Sequence, residues 1–182
     1  MLKRWLLVLA LGLLSLSYLV AQEVVVPHER KVAVETGSSA AFHVQNARLN
    51  NVVTRNKGKL EERFLLSFQV PGTLESALPH TGIKLTAYNE KGGIFGQHTW
   101  ALAKRGTISK PAADKLQIVS DVNPALKGAN SYSLSLFSVN QAEEVANIDC
   151  VTCAGIANDT CGRGKVGGVS CGADGSCSFT CK

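Results

Sequence analysis

No cysteine occurs before position 150 in this chain of 182 residues. The first four-fifths can therefore hold no disulfide and no thiolate ligand or nucleophile of its own, and must be stabilised by apolar packing. After Ala21 there is also no apolar run long enough to span a bilayer, which takes about 20 residues. A large charge of one sign is missing too. The formal net charge is +5, and setting aside Lys3 and Arg4 leaves 17 basic against 14 acidic residues. The basic residues are scattered, so nucleic acid is not an expected partner. Their densest group, Arg55-Asn56-Lys57-Gly58-Lys59, reads as a solvated loop. Catalytic signatures are absent as well. There is no Gly-x-Ser-x-Gly elbow and no His-Glu-x-x-His metal motif. The four histidines, His28, His43, His80 and His98, are far apart, and His43 and His98 read as surface or edge residues of strands. The paired carboxylates Glu61-Glu62 and Glu143-Glu144 are sequence neighbours, which on a strand point to opposite faces. Nothing here calls for a cofactor or a metal, and catalysis is not expected.

What is present begins with a leader. Met1-Leu2-Lys3-Arg4 is positive, and Trp5 to Ala21 is an uncharged run rich in Leu and Val. This is the pattern of a secretory signal peptide over 1–21, with Gln22 as the new N-terminus. Leu19 at the −3 position is larger than usual, and the rival reading is a retained anchor. With the leader removed, no membrane attachment is expected. The mature chain is expected in a secreted, periplasmic or otherwise extracellular setting.

Residues 22–140 read as an antiparallel β-sandwich of about seven or eight strands, making the fold class all-β. Phe64, Leu66, Phe68 and Val70 alternate with smaller or polar residues, as do Ile83, Leu85 and Ala87. Period two places each set on one face of a sheet. Further candidate strands are 24–26, 31–34, 41–47, 95–103, 116–119 and 132–139. Turn signals separate them at Pro71-Gly72, Pro79, Gly92-Gly93, Asn123-Pro124 and Gly128. Glu90-Lys91-Gly92-Gly93 reads as a hairpin. No helix is expected beyond the leader and the short stretch 141–147.

One segment is more specific. Leu126, Gly128 and Tyr132 lie in the run Leu126-Lys127-Gly128-Ala129-Asn130-Ser131-Tyr132-Ser133-Leu134-Ser135-Leu136. This resembles the late corner of fibronectin type III-like and immunoglobulin-like β-sandwiches. The resemblance implies that Leu126 packs beneath the corner, Gly128 permits the turn, and the Tyr132 hydroxyl bonds main chain across it. The chain departs from that family in lacking an early-strand Trp, since Trp100 comes mid-domain, and in lacking an inter-sheet Cys pair. Only the sandwich is carried over. Tyr88 and Trp100 sit on neighbouring candidate strands, so a shared aromatic platform for a sugar is one reading and a core Trp100 is the other.

After a polar linker at 141–149, the segment 150–182 holds all six cysteines: Cys150, Cys153, Cys161, Cys171, Cys177 and Cys181. It is rich in glycine and poor in large apolar residues, so covalent ties must offset its chain entropy. Six cysteines in an exported chain imply three disulfides, for which fifteen pairings exist. Cys150-x-x-Cys153 is also half of a zinc site, but no histidine follows His98 to complete one. Gly162-Arg163-Gly164-Lys165-Val166-Gly167 spells a dinucleotide fingerprint, which requires a strand before it and a helix after it. Asn158-Asp159-Thr160 is an N-glycosylation sequon.

These features lead to an expectation of a secreted or periplasmic, non-catalytic binding or structural protein. Its disulfide-held segment would be an appended recognition knob, and its partner an unidentified protein or a cell-surface glycan. A second expectation is a subunit of an extracellular assembly or other homo-oligomer, in which a strand near 24–35 adds to a neighbour's sheet. A third is an inhibitor or toxin-like effector carried by the tail.

Overall fold

The computed structural model describes residues 25–34, 43–56, 59–138 and 149–182. The leader and residues 139–148 of the linker region lie outside these, as do Val24, Lys57 and Gly58. Two sheets face each other. The first is five-stranded, ordered β1-β3-β4-β8-β7, where β1 is Val25–Lys31, β3 Gln45–Asn56, β4 Lys59–Pro71, β7 Gly106–Ala112 and β8 Lys115–Val122. The second is six-stranded, ordered β10-β11-β6-β5-β9-β2. Here β2 is Ala33–Val34, β5 Thr81–Tyr88, β6 Ile94–Ala101, β9 Ser131–Ser138, β10 Val166–Cys171 and β11 Cys177–Cys181. Pairing is antiparallel except for the short β2, which runs parallel to β9. The all-β sandwich expected from period-two alternation is the observed fold.

The alternating sets make its core. In β4, Phe64, Leu66, Phe68 and Val70 are buried and sit opposite Val122, Ser120, Ile118 and Leu116 of β8. From the other sheet, Ile83, Leu85 and Ala87 of β5 meet Leu136, Leu134 and Tyr132 of β9. Burial of each large side chain stabilises the fold by about 1.5–3 kcal/mol relative to exposure. The β5–β6 turn closes as expected: Asn89 Oδ1 accepts from the main-chain N–H groups of Lys91 and Gly93, and Gly92 takes φ +76°. Asn123 caps the 3₁₀ turn Pro124–Gly128, its side chain accepting from the N–H of Ala125 at 2.9 Å.

Two features differ from the sequence expectation. The stretch 95–103 ends as a strand at Ala101 and continues as one helical turn, Leu102–Arg105, because Leu102 folds into the core. Of the basic group at 55–59, Arg55 and Asn56 end β3 and Lys59 opens β4, while Lys57 and Gly58 lie outside the described residues. The larger difference is a helix, α1 (Cys150–Cys161), in the segment for which no helix was expected. Asp149 caps it by accepting from the N–H of Thr152 at 2.7 Å.

Candidate functional site

Helix α1 carries Cys150, Cys153, Ala157 and Cys161 at spacings of three, four and four, which is one stripe of a helix. Strand β11 carries Cys177, Phe179 and Cys181 at a spacing of two, which is one face of a strand. The two faces meet. Cys150 pairs with Cys171, Cys153 with Cys177 and Cys161 with Cys181, at Cα separations of 5.5, 5.6 and 5.4 Å. Every disulfide therefore ties α1 to the β10–β11 hairpin, and Cys153, Ala157, Cys177 and Phe179 form a small core of their own. All six cysteines are oxidised, and no cluster of potential metal ligands occurs among the described residues. No described helix is long and apolar enough to cross a membrane.

This segment does not stand apart from the sandwich. Strand β11 pairs with β6 over Cys177↔Thr99 to Thr180↔Gly96, so the hairpin extends the six-stranded sheet. Gly96 makes the junction possible, since a Cβ there would lie 2.3 Å from the carbonyl oxygen of Phe179. A row of inward-facing partners crosses the sheet in the order Leu134, Leu85, His98, Ser178 and Ser170. The outward row beside it runs Ser133, Thr86, Gln97, Phe179 and Val169. The sheet thus inverts its polarity at β6. Under the sandwich its inner face is apolar, and under the hairpin its outer face is apolar and covered by α1.

The inversion leaves a polar cleft of about 450 Å³ on the inner face, between the hairpin and the ends of β4 and β8. His98, Arg105, Asn123, Ser170, Ser176 and Ser178 line it. His98 is buried at 1% exposure, not at the surface as its strand position suggested. Burial pushes its pKa down to about 4, with the Arg105 charge adding to the effect and Asp174 opposing it, so the ring is neutral at neutral pH. Its Nδ1 accepts the N–H of Asn123 at 3.0 Å, which places the single ring proton on Nε2. Asn123 also donates from Nδ2 to Ser178 Oγ at 3.0 Å, across the seam.

The charged groups at the cleft are already matched. Arg105 Nε bonds Asp174, which also accepts from Ser176 Oγ and N at 2.7 and 3.1 Å. Burial would raise the Asp174 pKa, but these bonds outweigh it and hold the carboxyl well below the usual range. Arg63 forks onto Asp121 at 2.9 and 2.7 Å, and Glu62 bonds Lys127. A second cleft, about 550 Å³, lies at the far end around Gln45, Gln69, Pro71 and Asp114. It is larger, but its polar lining residues are exposed or half-exposed, so none is held in a fixed, desolvated geometry.

The expected site residues fall elsewhere. Trp100 is buried beside His98, ring centroids 4.6 Å apart, and its Nε1 lacks a partner among the described residues. Tyr88 lies on the opposite face of the sheet, its hydroxyl 3.0 Å from Ser133 Oγ. The aromatic platform of Tyr88 and Trp100 is therefore not formed, because strand alternation separates them. Leu126 and Tyr132 meet as expected, whereas the turn does not require glycine at Gly128, which has no positive φ and where a Cβ would meet only Phe95, at 3.4 Å. Leu126 is buried, and Tyr132 Oη donates to the Leu126 carbonyl at 2.8 Å. Arg30 of β1 adds a clamp not foreseen from sequence, donating to the Ala129 carbonyl at 2.8 Å and to Tyr132 Oη at 3.1 Å. The fingerprint Gly162–Gly167 follows a helix and precedes a strand, the reverse of what dinucleotide binding needs. Asn158 lies exposed on α1, and the exposed His43 and His80 are remote from the cleft lining. No family model, curated protein or solved structure matches this chain.

Proposed function

We propose that this is an exported, non-catalytic binding protein that holds an uncharged polar ligand, such as a sugar unit of a cell-surface glycan, in the seam cleft. The observation that carries this reading is the polar floor of the cleft, where the buried, neutral His98, its Nδ1 held by the N–H of Asn123, stands with Ser170, Ser176 and Ser178. A cavity lined by hydroxyls and a neutral imidazole favours a ligand rich in hydrogen-bonding groups. Pairing of Arg63, Arg105, Asp121 and Asp174 with one another favours a ligand without net charge. The three disulfides brace one wall of the cleft, which lowers the ordering cost of binding. His98 is a poor general base with Nδ1 engaged and a pKa near 4, which supports binding over catalysis.

Export is supported by the leader pattern and by three disulfides, which persist in oxidising compartments. The assembly reading based on an N-terminal donor strand is less supported, because β1 pairs at home with β3. A detachable toxin-like tail is less supported too, because the β6–β11 ladder would have to break.

The test is a ¹⁵N-detected titration of the exported protein against a panel of oligosaccharides. Shifts at the His98 imidazole, Asn123 and Ser178 are expected for at least one ligand, and are expected to vanish in Ser178→Val. Binding that maps to the far-end cleft, or turnover of the ligand, would sink the proposal.

A further inference from the structure

Among the described residues the two sheets have four edges, and three are blunted. Strand β1 carries Pro27, Glu29, Arg30 and Lys31 and a register shift between Val25 and His28. Strand β7 carries Lys110-Pro111 and a shift between Ser109 and Ala112. Strand β2 spans two of the described residues. Proline, lysine, bulges and shortness are the devices by which proteins stop an edge from pairing with another chain. The fourth edge, β10, reads Val166-Gly167-Gly168-Val169-Ser170-Cys171 and contains no charge and no proline. Gly167 to Ser170 are all exposed. A register shift at Val166/Gly168 confines the regular ladder to Gly168–Cys171. The N–H of Gly172 closes the hairpin on the Ser176 carbonyl at 2.9 Å. By the alternation of an antiparallel ladder, Ser170 and Gly168 then bond across to β11, and Val169 and Cys171 direct their main-chain groups to the open side.

We infer that β10 pairs with β10 of a second copy, antiparallel about a two-fold axis, joining two six-stranded sheets into one. An antiparallel strand is complementary to itself under two-fold symmetry, so the edge supplies its own partner. A register centred on Val169 sets this residue against its counterpart. It also sets Lys165 against Ala173, so Arg163 and Lys165 of each copy lie beside the turn that carries Asp174 of the other. The middle of this pairing carries no charge. Of the five large apolar residues exposed among the described residues, Val151, Ile156 and Val169 are all on this end of the molecule. Three disulfides hold the edge rigid, so little order is lost on pairing.

Sedimentation velocity on the full exported protein, from micromolar to near-millimolar concentration, tests this. A reversible monomer–dimer equilibrium is expected. Val169→Lys and Val169→Glu should each weaken it by about tenfold or more, because like charges then face each other across the axis. Mixing the two variants should restore association as a heterodimer. Ile108→Lys on the β7 edge should change nothing. A monomer at every concentration overturns the inference, as does a dimer that Ile108→Lys weakens and the Val169 variants do not. Intact mass showing three disulfides in each variant guards against misfolding. Ligand binding in the cleft is measured separately on the Val169→Lys monomer, so failure of the dimer and failure of the binding function give different results.

Discussion

At the scale of single residues, the sandwich is held at two points where a polar group is buried on purpose. Tyr132 spends its hydroxyl twice, donating to the Leu126 carbonyl and accepting from Arg30. Tyr132→Phe keeps the ring against Phe64 but removes one bond each from the Leu126 carbonyl, which keeps the Ala129 N–H, and from Arg30, which keeps the Lys127 and Ala129 carbonyls. It should cost about 1–2 kcal/mol in urea unfolding, with an unchanged slope. His98 is the second point. Its folded pKa lies near 4 and its unfolded pKa near 6.5. Above pH 6.5 neither state takes the proton. As pH falls from 6.5 towards 4 the unfolded chain binds a proton that the folded one refuses, so stability declines, by about 3 kcal/mol over that window. Asp174, whose pKa is held down, acts in the same direction at lower pH. Denaturant midpoints at pH 7 and 4.5 should differ accordingly, and the imidazole resonances of His98 should stay those of a neutral ring at pH 5.5. A ring that titrates near 6.5 would contradict the burial. The Tyr132 corner was legible because its spacing is local. His98 was not, because alternation gives its face but not the polarity of the strand that will lie beside it.

At the scale of elements, the tail shows what a sequence reading keeps and loses. Six cysteines in a chain expected to be exported pointed to three disulfides, and three form. The helix was missed because Gly155, Thr152, Asn158 and Asp159 are weak helix formers, and glycine and cysteine suggested an irregular knot. Two signals could have found it: the Asp149 cap, and the stripe of Cys150, Cys153, Ala157 and Cys161. Set beside the period-two face of Cys177 and Cys181, that stripe would have narrowed the fifteen pairings to those joining a helix to a hairpin. Cys153–Cys177 is the most enclosed of the three, both residues being buried in the small core. Replacing the pair by alanine should lower stability by about 2–4 kcal/mol and free α1 from the hairpin first. Hydrogen exchange should show lost protection in α1 and β10 while β4 and β5 keep theirs. Equal loss everywhere would mean that the bridge supports the whole sandwich rather than its end. Gly96→Ala acts on the same joint from the other side. Its Cβ meets main chain at the Phe179 carbonyl, and no rotamer change relieves that, so exchange should quicken along β11 with all three disulfides intact.

At the scale of the whole molecule, the composition break at Cys150 and the architecture divide the chain differently. Cysteine content separates 22–140 from 150–182, yet the main-chain ladder runs through that boundary, because β6 has β5 on one side and β11 on the other. Alternation could not reveal this, since a strand's sequence records which face it buries and not whose edge it joins. The consequence is physical. Without 149–182, β6 becomes an eight-residue edge, Ile94–Ala101, with neither proline, lysine nor a shortened span to protect it. His98 also loses the strand that closes it from water on that side. Deleting 149–182 should therefore yield a chain that aggregates and melts well below the full protein, measured by light scattering and calorimetry. A truncated sandwich that stays monodisperse with an unchanged Tm would show instead that the cysteine-rich segment is an independent addition. The full chain with its disulfides reduced provides the intermediate case. It keeps the strand that covers β6 but loses the ties that hold it, so it should remain soluble at low temperature and begin to aggregate on heating before the sandwich core itself unfolds.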